Sequence, residues 1–343
     1  MKLTPAEAAA ELLRRRASRR ECEASFVEFI RQAWHVIEPA RPYVHGWHID
    51  AKCQHLEAVT DGRIKRLLIN EPPGCMKSLT VNVFWPAWEW GPKNMAHMRF
   101  VCTSHSQSLA IRDSTKMRRL IQSDWYQRRW GDRVKLTGDQ NAKTKFENEA
   151  TGFREAVAFE SLTGVRGNRV TIDDPHSVNS AYSDVMRETP NETFLEAGPL
   201  RLDAPIERAI IVIMQRLHDE DVSGIILSRK LGYVHLCLPM EFDPARRCET
   251  SIGFVDPRTE DGEVIFPERC PREVVERDKA VLGPYAVASQ FQQSPSPRGG
   301  GIIKRDWWQV WDEDAAIEHH VKAGAFPPMD IVIASLDTAY TEK

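Results

Sequence analysis

From residue 64 onwards, the sequence predicts an α/β fold in which helices flank a mostly parallel central sheet. Two observations predict it: short β-rich runs alternate with helical stretches, and those helical stretches are long enough to connect parallel strands. The composition agrees, because 42% of the 343 residues are hydrophobic and 28% are charged. Such values are typical of a globular protein and exclude a disordered, collagen-like or disulfide-scaffold chain. At about 150 residues per domain, the length predicts two domains.

The first element is helical, over residues 4 to 38, because Thr4 and Glu7 have the spacing of a capping box and an Ala-, Leu- and Arg-rich run follows. Five arginines between residues 14 and 20 form either a patch for DNA or a partner, or an ordinary solvated helix face. Strands are predicted at 64–70, 99–103, 169–172, 209–214 and 233–238. Helices are predicted at 78–90, 106–123, 184–196 and 220–229, with a hairpin-like region at 144–160. Residues 239 to 301 show less regular pattern, and their Pro- and Gly-rich end, 294–301, is the best domain boundary.

Charge and cysteine content narrow the function classes. The net charge is −3, so no global basic field attracts nucleic acid, and any DNA contact must come from local patches or from assembly. The seven cysteines contain no C-x-x-C pair, which argues against a zinc ribbon or dithiol site and fits a reducing cytosol. The longest apolar stretch, 210–214, is far too short to span a bilayer. The N-terminus lacks the apolar core of a signal peptide.

The segment NEPPGCMKSL, residues 70–79, follows a predicted strand and opens a predicted helix. A phosphate-binding loop requires this context, because backbone N–H groups of the loop and the helix N-terminus then point at phosphate oxygens. Lys77 is expected to bridge the β- and γ-phosphates of a nucleotide, and the Ser78 hydroxyl to bind Mg²⁺. Two positions that usually carry Gly hold Glu and Met here, so only Gly74 supplies backbone freedom. A chance strand–turn–helix is the alternative interpretation.

A second group of polar residues follows the strand at 169–172, where Asp173 and Asp174 precede a proline. Asp173 is expected to hold Mg²⁺ and Asp174 to polarise the attacking water. The 96 residues from Lys77 to Asp173 leave room for an intervening strand, as in ATPases with an added central strand. Alone, the pair fits equally well a turn in which Asp caps the next segment of the chain. Together, the two motifs at the ends of strands favour a nucleotide hydrolase, because an open α/β sheet binds ligands at the carboxyl ends of its strands.

A third group follows the apolar strand at 209–214. Gln215 and Arg216 come directly after it, and they are expected to sense the γ-phosphate and to pass its loss onward. The alternative is that Arg216 simply pairs with Asp219 or Glu220.

Eight segments together resemble the large terminase subunit of tailed double-stranded DNA bacteriophages, the DNA-packaging motor. The segments are GWHIDAKCQHLEAVTDGRIKRLLINEPPGCMKSL, FVCTSHSQSLAIRDS, GNRVTIDDPH, IVIMQRLHDEDVSG, DPRTEDGEVIFPE, GPYAVASQFQQSPSPRGGG, KRDWW and ASLDTAY. The resemblance runs from about residue 25 to the end and keeps the order of the motifs. It implies an N-terminal P-loop ATPase that translocates DNA, followed by an RNase H-like nuclease that cuts concatemers.

The resemblance also implies roles for individual residues. Lys77 and Ser78 correspond to the Walker A pair, and Asp173 corresponds to the Walker B carboxylate. Gln215 and Arg216 stand at the ATPase-coupling motif, and Asp337 resembles the first metal-binding carboxylate of the nuclease. The residues expected to bind the nucleotide are Trp47 and His48, at the adenine-side motif, and Pro73, Gly74, Cys75, Met76, Lys77 and Ser78.

The implied cofactors are ATP and Mg²⁺, with a pair of divalent ions, Mg²⁺ or Mn²⁺, for the complete nuclease. The implied partners are double-stranded DNA, the portal protein and procapsid, the small terminase subunit and further copies in a homo-oligomeric ring, but no membrane. The expected location is the host cytoplasm, at the portal vertex of the procapsid. The expected domains are a helical or lid region at 1–60, the ATPase core at 61–240, a lid or linker at 241–301 and the start of the nuclease at 302–343. Because the chain stops six residues after Asp337, we expect ATP hydrolysis without DNA cleavage.

Three departures from the family pattern matter. Asp174 stands where many relatives have Glu, and Gln215 where a small hydroxyl residue is usual. The loop carries no arginine. A charge-stabilising arginine must then come from elsewhere, and Arg112 and Arg166 are the candidates, acting within the chain or from a neighbouring subunit. Two other functions stay open: a helicase or recombination-type ATPase, and a hydrolysis-defective nucleotide-binding assembly module.

Overall fold

The computed structural model describes residues 5–181, 183–197 and 208–296. All of them lie in the first of two units into which the chain divides, Met1–Arg298; the second unit is Gly299–Lys343. The expected nuclease segment 302–343, with Asp337, lies outside the described residues.

Among the described residues, eight strands form one sheet. They are β1 (Arg66–Asn70), β2 (Phe100–Ser104), β3 (Leu136–Asn141), β4 (Lys145–Asn148), β5 (Phe153–Ala158), β6 (Arg169–Asp173), β7 (Ala209–Met214) and β8 (Val234–Cys237). Their order across the sheet is β3-β4-β5-β2-β6-β7-β1-β8. Neighbours from β5 to β8 are parallel, whereas β3 and β4 extend the sheet as an antiparallel hairpin. The predicted mostly parallel sheet is confirmed.

The central strands are buried because the sheet is covered on both faces. Every residue of β2, β6 and β7 is buried. Strand β7 is accordingly a continuous apolar run, whereas β6 alternates apolar residues with the buried polar residues Arg169, Thr171 and Asp173. Successive side chains of a strand point to opposite faces. In β1, Leu67 and Ile69 therefore join one hydrophobic core, and Leu68 joins the other.

Strand β7 lies between β1 and β6 in the sheet, although it follows both in the chain. The parallel register pairs Asn70 of β1 with Met214 of β7, and Asp173 of β6 with Ile213 of β7. The ends of the three strands are consequently level. This added central strand brings the phosphate-loop candidate, the acidic pair and the segment after β7 to one edge of the sheet.

Three helices precede the first strand, and the others lie between or after the strands. The α-helices are α1 (Pro5–Ala24), α2 (Phe26–Ile37), α3 (Trp47–Thr60), α4 (Lys77–Leu79), α5 (Trp85–Trp90), α6 (Gln107–Gln122), α7 (Asp124–Trp130), α8 (Val178–Ala181), α9 (Asp184–Ala197), α10 (Val222–Ser228) and α11 (Arg272–Ala286). The predicted helical region 4–38 is two helices, because Ser25 caps α2 by accepting a hydrogen bond from Glu28 N–H. None of the helices within the described ranges has the length and apolar character needed to cross a membrane.

The helix after the phosphate-loop candidate has an irregular centre. A π-helix, Thr80–Phe84, joins α4 to α5, so the helical backbone continues from residue 77 to residue 90. Trp85, Trp88 and Trp90 on its second half are buried in the larger hydrophobic core. This packing anchors the helix whose first turn carries Lys77 and Ser78.

Candidate functional site

The loop between β1 and α4 has the backbone of a phosphate-binding turn. Gly74 (φ 85°) and Met76 (φ 64°) both adopt the left-handed conformation. Gly enters this region freely, whereas a side chain such as that of Met76 is strained there. Alternating left-handed residues turn successive N–H groups toward one side and create a concave site for an anion. The strand–loop–helix context predicted from the sequence is present.

A buried ion pair supports this loop on the side that faces the protein interior. Lys52 Nζ, on α3, donates to both Glu71 carboxylate oxygens at 2.6 and 2.7 Å and to the Cys75 carbonyl at 2.7 Å. The Lys52 and Glu71 side chains are fully buried. Burial raises the pKa of Glu71, and the charge of Lys52 opposes this rise. Sequence reasoning missed Lys52; the signal was Glu71 itself, an acid at a Gly position that needs a cation nearby.

Lys77 is folded back over the loop. Its ammonium donates to the carbonyls of Glu71 (3.0 Å) and Pro72 (2.9 Å), and its side chain is buried. Both acceptors are neutral, so a phosphate would attract the ammonium more strongly. In this position the Lys77 ammonium holds the two ends of the loop together through these hydrogen bonds, and its side chain also lines a cavity.

That cavity has a volume of about 400 Å³ and lies at the carboxyl edge of the sheet. Of the loop residues predicted to bind a nucleotide, Pro73, Gly74, Met76, Lys77 and Ser78 line it. Cys75 lies behind the loop, where burial raises the pKa of its thiol to about 12. The volume suits a nucleotide-sized ligand.

Asp173 has the environment of a cation ligand. Its Oδ2 accepts a hydrogen bond from Asn82 at 3.1 Å, while Oδ1 is buried without a hydrogen-bond partner among the described residues. Burial, followed by the charges of Asp174 and Asp113, raises its pKa to about 8, and the nearby Ser78 hydroxyl and Lys77 ammonium oppose the rise. A divalent cation would relieve all three unfavourable contributions. Carboxylate and hydroxyl oxygens are ligands that Mg²⁺ prefers, so Asp173 and Ser78 fit this ion.

Asp174 lines the cavity in a strained conformation, with φ at 43°. Its N–H donates to the Ile213 carbonyl (2.9 Å), and its own carbonyl accepts from the His105 N–H (3.2 Å). Its Oδ1 accepts from the Gln215 N–H at 3.0 Å. A non-Gly residue held in the left-handed region by such contacts is typical of functional sites. The structure thus fixes the Asp174 carboxylate at the cavity, next to Asp173.

Gln215 and Arg216 are adjacent in sequence but face different surroundings. Gln215 lines the cavity, and its Oε1 is buried with no hydrogen-bond partner in the described part of the chain. Arg216 points into the protein, where its Nε contacts both Asp221 oxygens at 3.0 and 3.1 Å, and its N–H donates to Gln293 Oε1 at 2.9 Å. The alternative interpretation paired Arg216 with Asp219 or Glu220; its ion pair is instead with Asp221, which also caps α10. The Arg216 side chain does not reach the phosphate end of the cavity.

Trp47 and His48 lie outside the cavity, contrary to the expected adenine-side position. Trp47 packs under the Arg258 guanidinium, 5.0 Å from the ring centroid. His48 is fully buried, and burial lowers the pKa of its imidazole to about 2. The cavity is instead lined away from the loop by Trp34, Glu38, Arg41 and Arg269. No motif in the sequence marked these four, because three come from α2 and the turn after it and one from a distant segment.

His48 also belongs to a cluster with metal-ligand chemistry. One ligand atom each of His48, Glu71 and Cys75 lies within 4.8 Å of the others. The ammonium of Lys52, however, already contacts both Glu71 oxygens. The Lys52 ammonium is therefore already the cation that is bound to the carboxylate of this cluster.

The two arginine candidates lie at opposite edges of the sheet. Arg112, on α6, lines the cavity and contacts the buried Asp113 carboxylate at 2.8 and 3.2 Å. Arg166 is exposed and precedes the amino end of β6, whereas Asp173 is at its carboxyl end. Within one chain, then, Arg112 is at the site and Arg166 is not. Asp113, which sequence reasoning did not single out, is the residue that positions Arg112.

The loop with Lys77 and Ser78, the buried Asp173 and the strand inserted between them define a P-loop NTPase fold. A scan against protein-family models and a search of curated proteins each found no match.

Solved structures similar to this chain include phage large terminases. The HK97 bacteriophage large terminase is 13% identical, with a TM-score of 0.44, over 65% of this chain and 45% of its own. A large terminase from a thermophilic bacteriophage, in complex with ATP-gamma-S, is 8% identical with a TM-score of 0.42, over 69% and 51%. An ATPase-domain variant of a Thermus phage large terminase is 12% identical with a TM-score of 0.39, over 69% and 91%. The chain spans about half the length of the first two.

Proposed function

We propose that this chain is a Mg²⁺-dependent ATPase whose hydrolysis cycle drives double-stranded DNA into a procapsid. The observation that carries the proposal is that Lys77 and Asp174 line one cavity, while the buried carboxylate of Asp173 lies next to them at the same edge of the sheet. Each group is of the type that phosphoryl transfer to water requires: a lysine for phosphate charge, a metal-binding carboxylate and a second carboxylate for the water. The motor role is supported by the resemblance of the sequence motifs to those of large terminase subunits.

Each residue has a defined task in this proposal. The loop N–H groups and Lys77 bind the phosphates, with Lys77 exchanging the Glu71 and Pro72 carbonyls for phosphate oxygens. Ser78 and Asp173 would hold Mg²⁺, which neutralises phosphate charge when bound. Asp174 orients the attacking water and accepts its proton. Arg112 leaves Asp113 to stabilise the charge that develops on the phosphoryl group.

Assembly belongs to the same proposal. The portal protein, the small terminase subunit and a homo-oligomeric ring are the proposed partners, with DNA as the translocated substrate. Because Arg166 is exposed and far from its own cavity, it is proposed to act, if at all, in the site of a neighbouring subunit.

Phosphate release tests the ATPase proposal directly. Wild type should release phosphate from ATP with Mg²⁺ and stop when the metal is chelated, and Lys77→Ala should fall to background. Lys143→Ala is the matched control, because Lys143 is an exposed lysine remote from the cavity lining. Unchanged turnover in Lys77→Ala would remove the ATPase assignment. Stimulation by long duplex DNA would favour the motor over the assembly-module alternative.

A further inference from the structure

The π-helix Thr80–Phe84 interrupts the helix that begins with Lys77 and Ser78. Such one-turn insertions change the angular position of the side chains that follow, and they occur frequently at functional sites. Asn82 lies in the middle of this insertion and is 2% exposed. A buried amide requires hydrogen-bond partners, because an unpaired one is costly.

The partners of Asn82 are both on β6. Its Nδ2 donates to Asp173 Oδ2 at 3.1 Å, and its Oδ1 accepts from the Thr171 hydroxyl at 2.6 Å. The ionised carboxylate, which is the form that binds a metal, accepts hydrogen bonds only, so in this form the amide nitrogen faces Asp173 and the amide oxygen faces Thr171. Thr171 and Asp173 are two residues apart and therefore share one face of the strand. The chain Thr171–Asn82–Asp173 fixes the orientation of every group in it.

We propose that Asn82, held by Thr171, is a positioning residue that presents Asp173 Oδ1 to the divalent cation bound with the nucleotide. This inference rests on the proposed function. Asn82 occupies Oδ2, while Oδ1 is the oxygen left without a hydrogen-bond partner in the described residues. Hydrogen bonds from a second layer of residues commonly hold a ligating carboxylate in this way.

An amide suits this position better than a charged donor would. Lys or Arg at residue 82 would form an ion pair with Asp173 and cancel the negative charge that attracts the metal. Asn82 orients the carboxylate and leaves its charge intact. A purely structural role predicts a different result, namely that any loss of a buried hydrogen bond near β6 would have the same effect.

Direct metal binding separates the two roles. Mn²⁺ binding to the full chain with ADP is measured by electron paramagnetic resonance, for wild type, Asn82→Leu and Thr171→Val. Thr103→Val is the matched control, because the buried Thr103 hydroxyl donates to the Thr171 carbonyl from the neighbouring strand β2 without contacting Asp173. ADP binding in the presence of a chelator and thermal unfolding are measured for the same variants.

We expect Asn82→Leu to weaken Mn²⁺ binding about tenfold or more, the effect typical of lost second-layer contacts. Thr171→Val should weaken it in the same direction, whereas Thr103→Val and metal-free ADP binding should not change. Equal Mn²⁺ affinity in wild type and Thr171→Val, or equal losses in Thr171→Val and Thr103→Val, would overturn the proposal. Should Asn82→Leu fail to fold, the two threonine variants still decide. If wild type binds ADP and Mn²⁺ but releases no phosphate from ATP, the proposed function fails while this test stands.

Discussion

Replacing Lys52 by Met should strongly destabilise the first unit, although Lys52 lies outside the cavity. The substitution keeps most of the side-chain volume and removes the ammonium. That ammonium uses all three of its donors, two on Glu71 and one on the Cys75 carbonyl. In Lys52→Met the Glu71 carboxylate remains fully buried and loses its cation.

The magnitude follows from the burial. Removing one partner of a buried ion pair typically costs about 3–5 kcal/mol, because the remaining charge is left in a low-dielectric environment. That is a large part of the about 5–15 kcal/mol by which such proteins are stable. The double variant Lys52→Met/Glu71→Leu removes both charges, so it should recover most of the loss. A strong favourable coupling between the two substitutions is therefore expected.

The sign of the pH dependence is also defined. Burial raises the pKa of Glu71 above its unfolded value, and this rise is larger once Lys52 is absent. A carboxyl group with a raised folded pKa binds its proton more tightly in the native state, so stability falls as pH rises from the unfolded to the folded pKa. The loss caused by Lys52→Met should then be smaller at pH 5 than at pH 8.

Urea unfolding followed by tryptophan fluorescence measures these free energies, since the chain contains ten tryptophans. Lys143→Met, at an exposed lysine, is the control. A loss below about 1 kcal/mol in Lys52→Met would refute the reasoning, because that is the range of a surface ion pair. So would a double variant that loses the sum of the two single losses.

Three further outcomes are expected. Asp174→Asn should bind ADP normally and release phosphate about 10²–10⁴-fold more slowly, as expected for loss of a general base; normal turnover would mean that another group activates the water. Because the pKa of Asp173 is raised to about 8, metal binding must displace a proton below that pH, so Mn²⁺ affinity should rise by up to about tenfold per pH unit between pH 6 and 8; a flat affinity would contradict this. Arg112→Ala should reduce turnover at every protein concentration, whereas Arg166→Ala should do so only in assembled rings, with losses of up to about 10³–10⁵-fold for an arginine finger; two fully active variants would leave no role for either arginine.

The sheet and the order of its motifs were predictable because each rests on local signals. Buried parallel strands appear as short apolar runs, and β7 was predicted with the same bounds that it has in the structure. Helix α11 was missed because its sequence contains Gly283 and Pro284, which indicate a break, and the backbone does bend there, with φ of Gly283 at 75°. The order of β7 between β1 and β6 is a long-range property that the strand pattern alone does not specify.

The residues of the candidate site also divide into those marked by local sequence signals and those placed by long-range contacts. Lys77, Ser78 and Asp173 could be proposed from the sequence because each follows or ends a predicted strand. Lys52 could not be predicted as a site residue, because its role depends on its distance from Glu71 on another element. Asn82 could not be predicted either, because it lies in a π-helix, which has no characteristic sequence pattern. Arg216 was misjudged for a related reason: a side chain after a strand can turn inward, and here Asp221 binds it.

Gln215 and Arg216 together connect two parts of the structure, because each backbone N–H donates a hydrogen bond to a different side chain. The N–H of Gln215 is tied to Asp174 and the N–H of Arg216 to the side chain of Gln293. A hydrogen bond tolerates only a few tenths of an ångström of stretch before it weakens. A larger displacement of the Asp174 carboxylate must therefore break one of these two hydrogen bonds or move the side chain of Gln293 as well. This dipeptide therefore links the acidic pair after β6 to the described segment that follows α11, in which Gln293 lies.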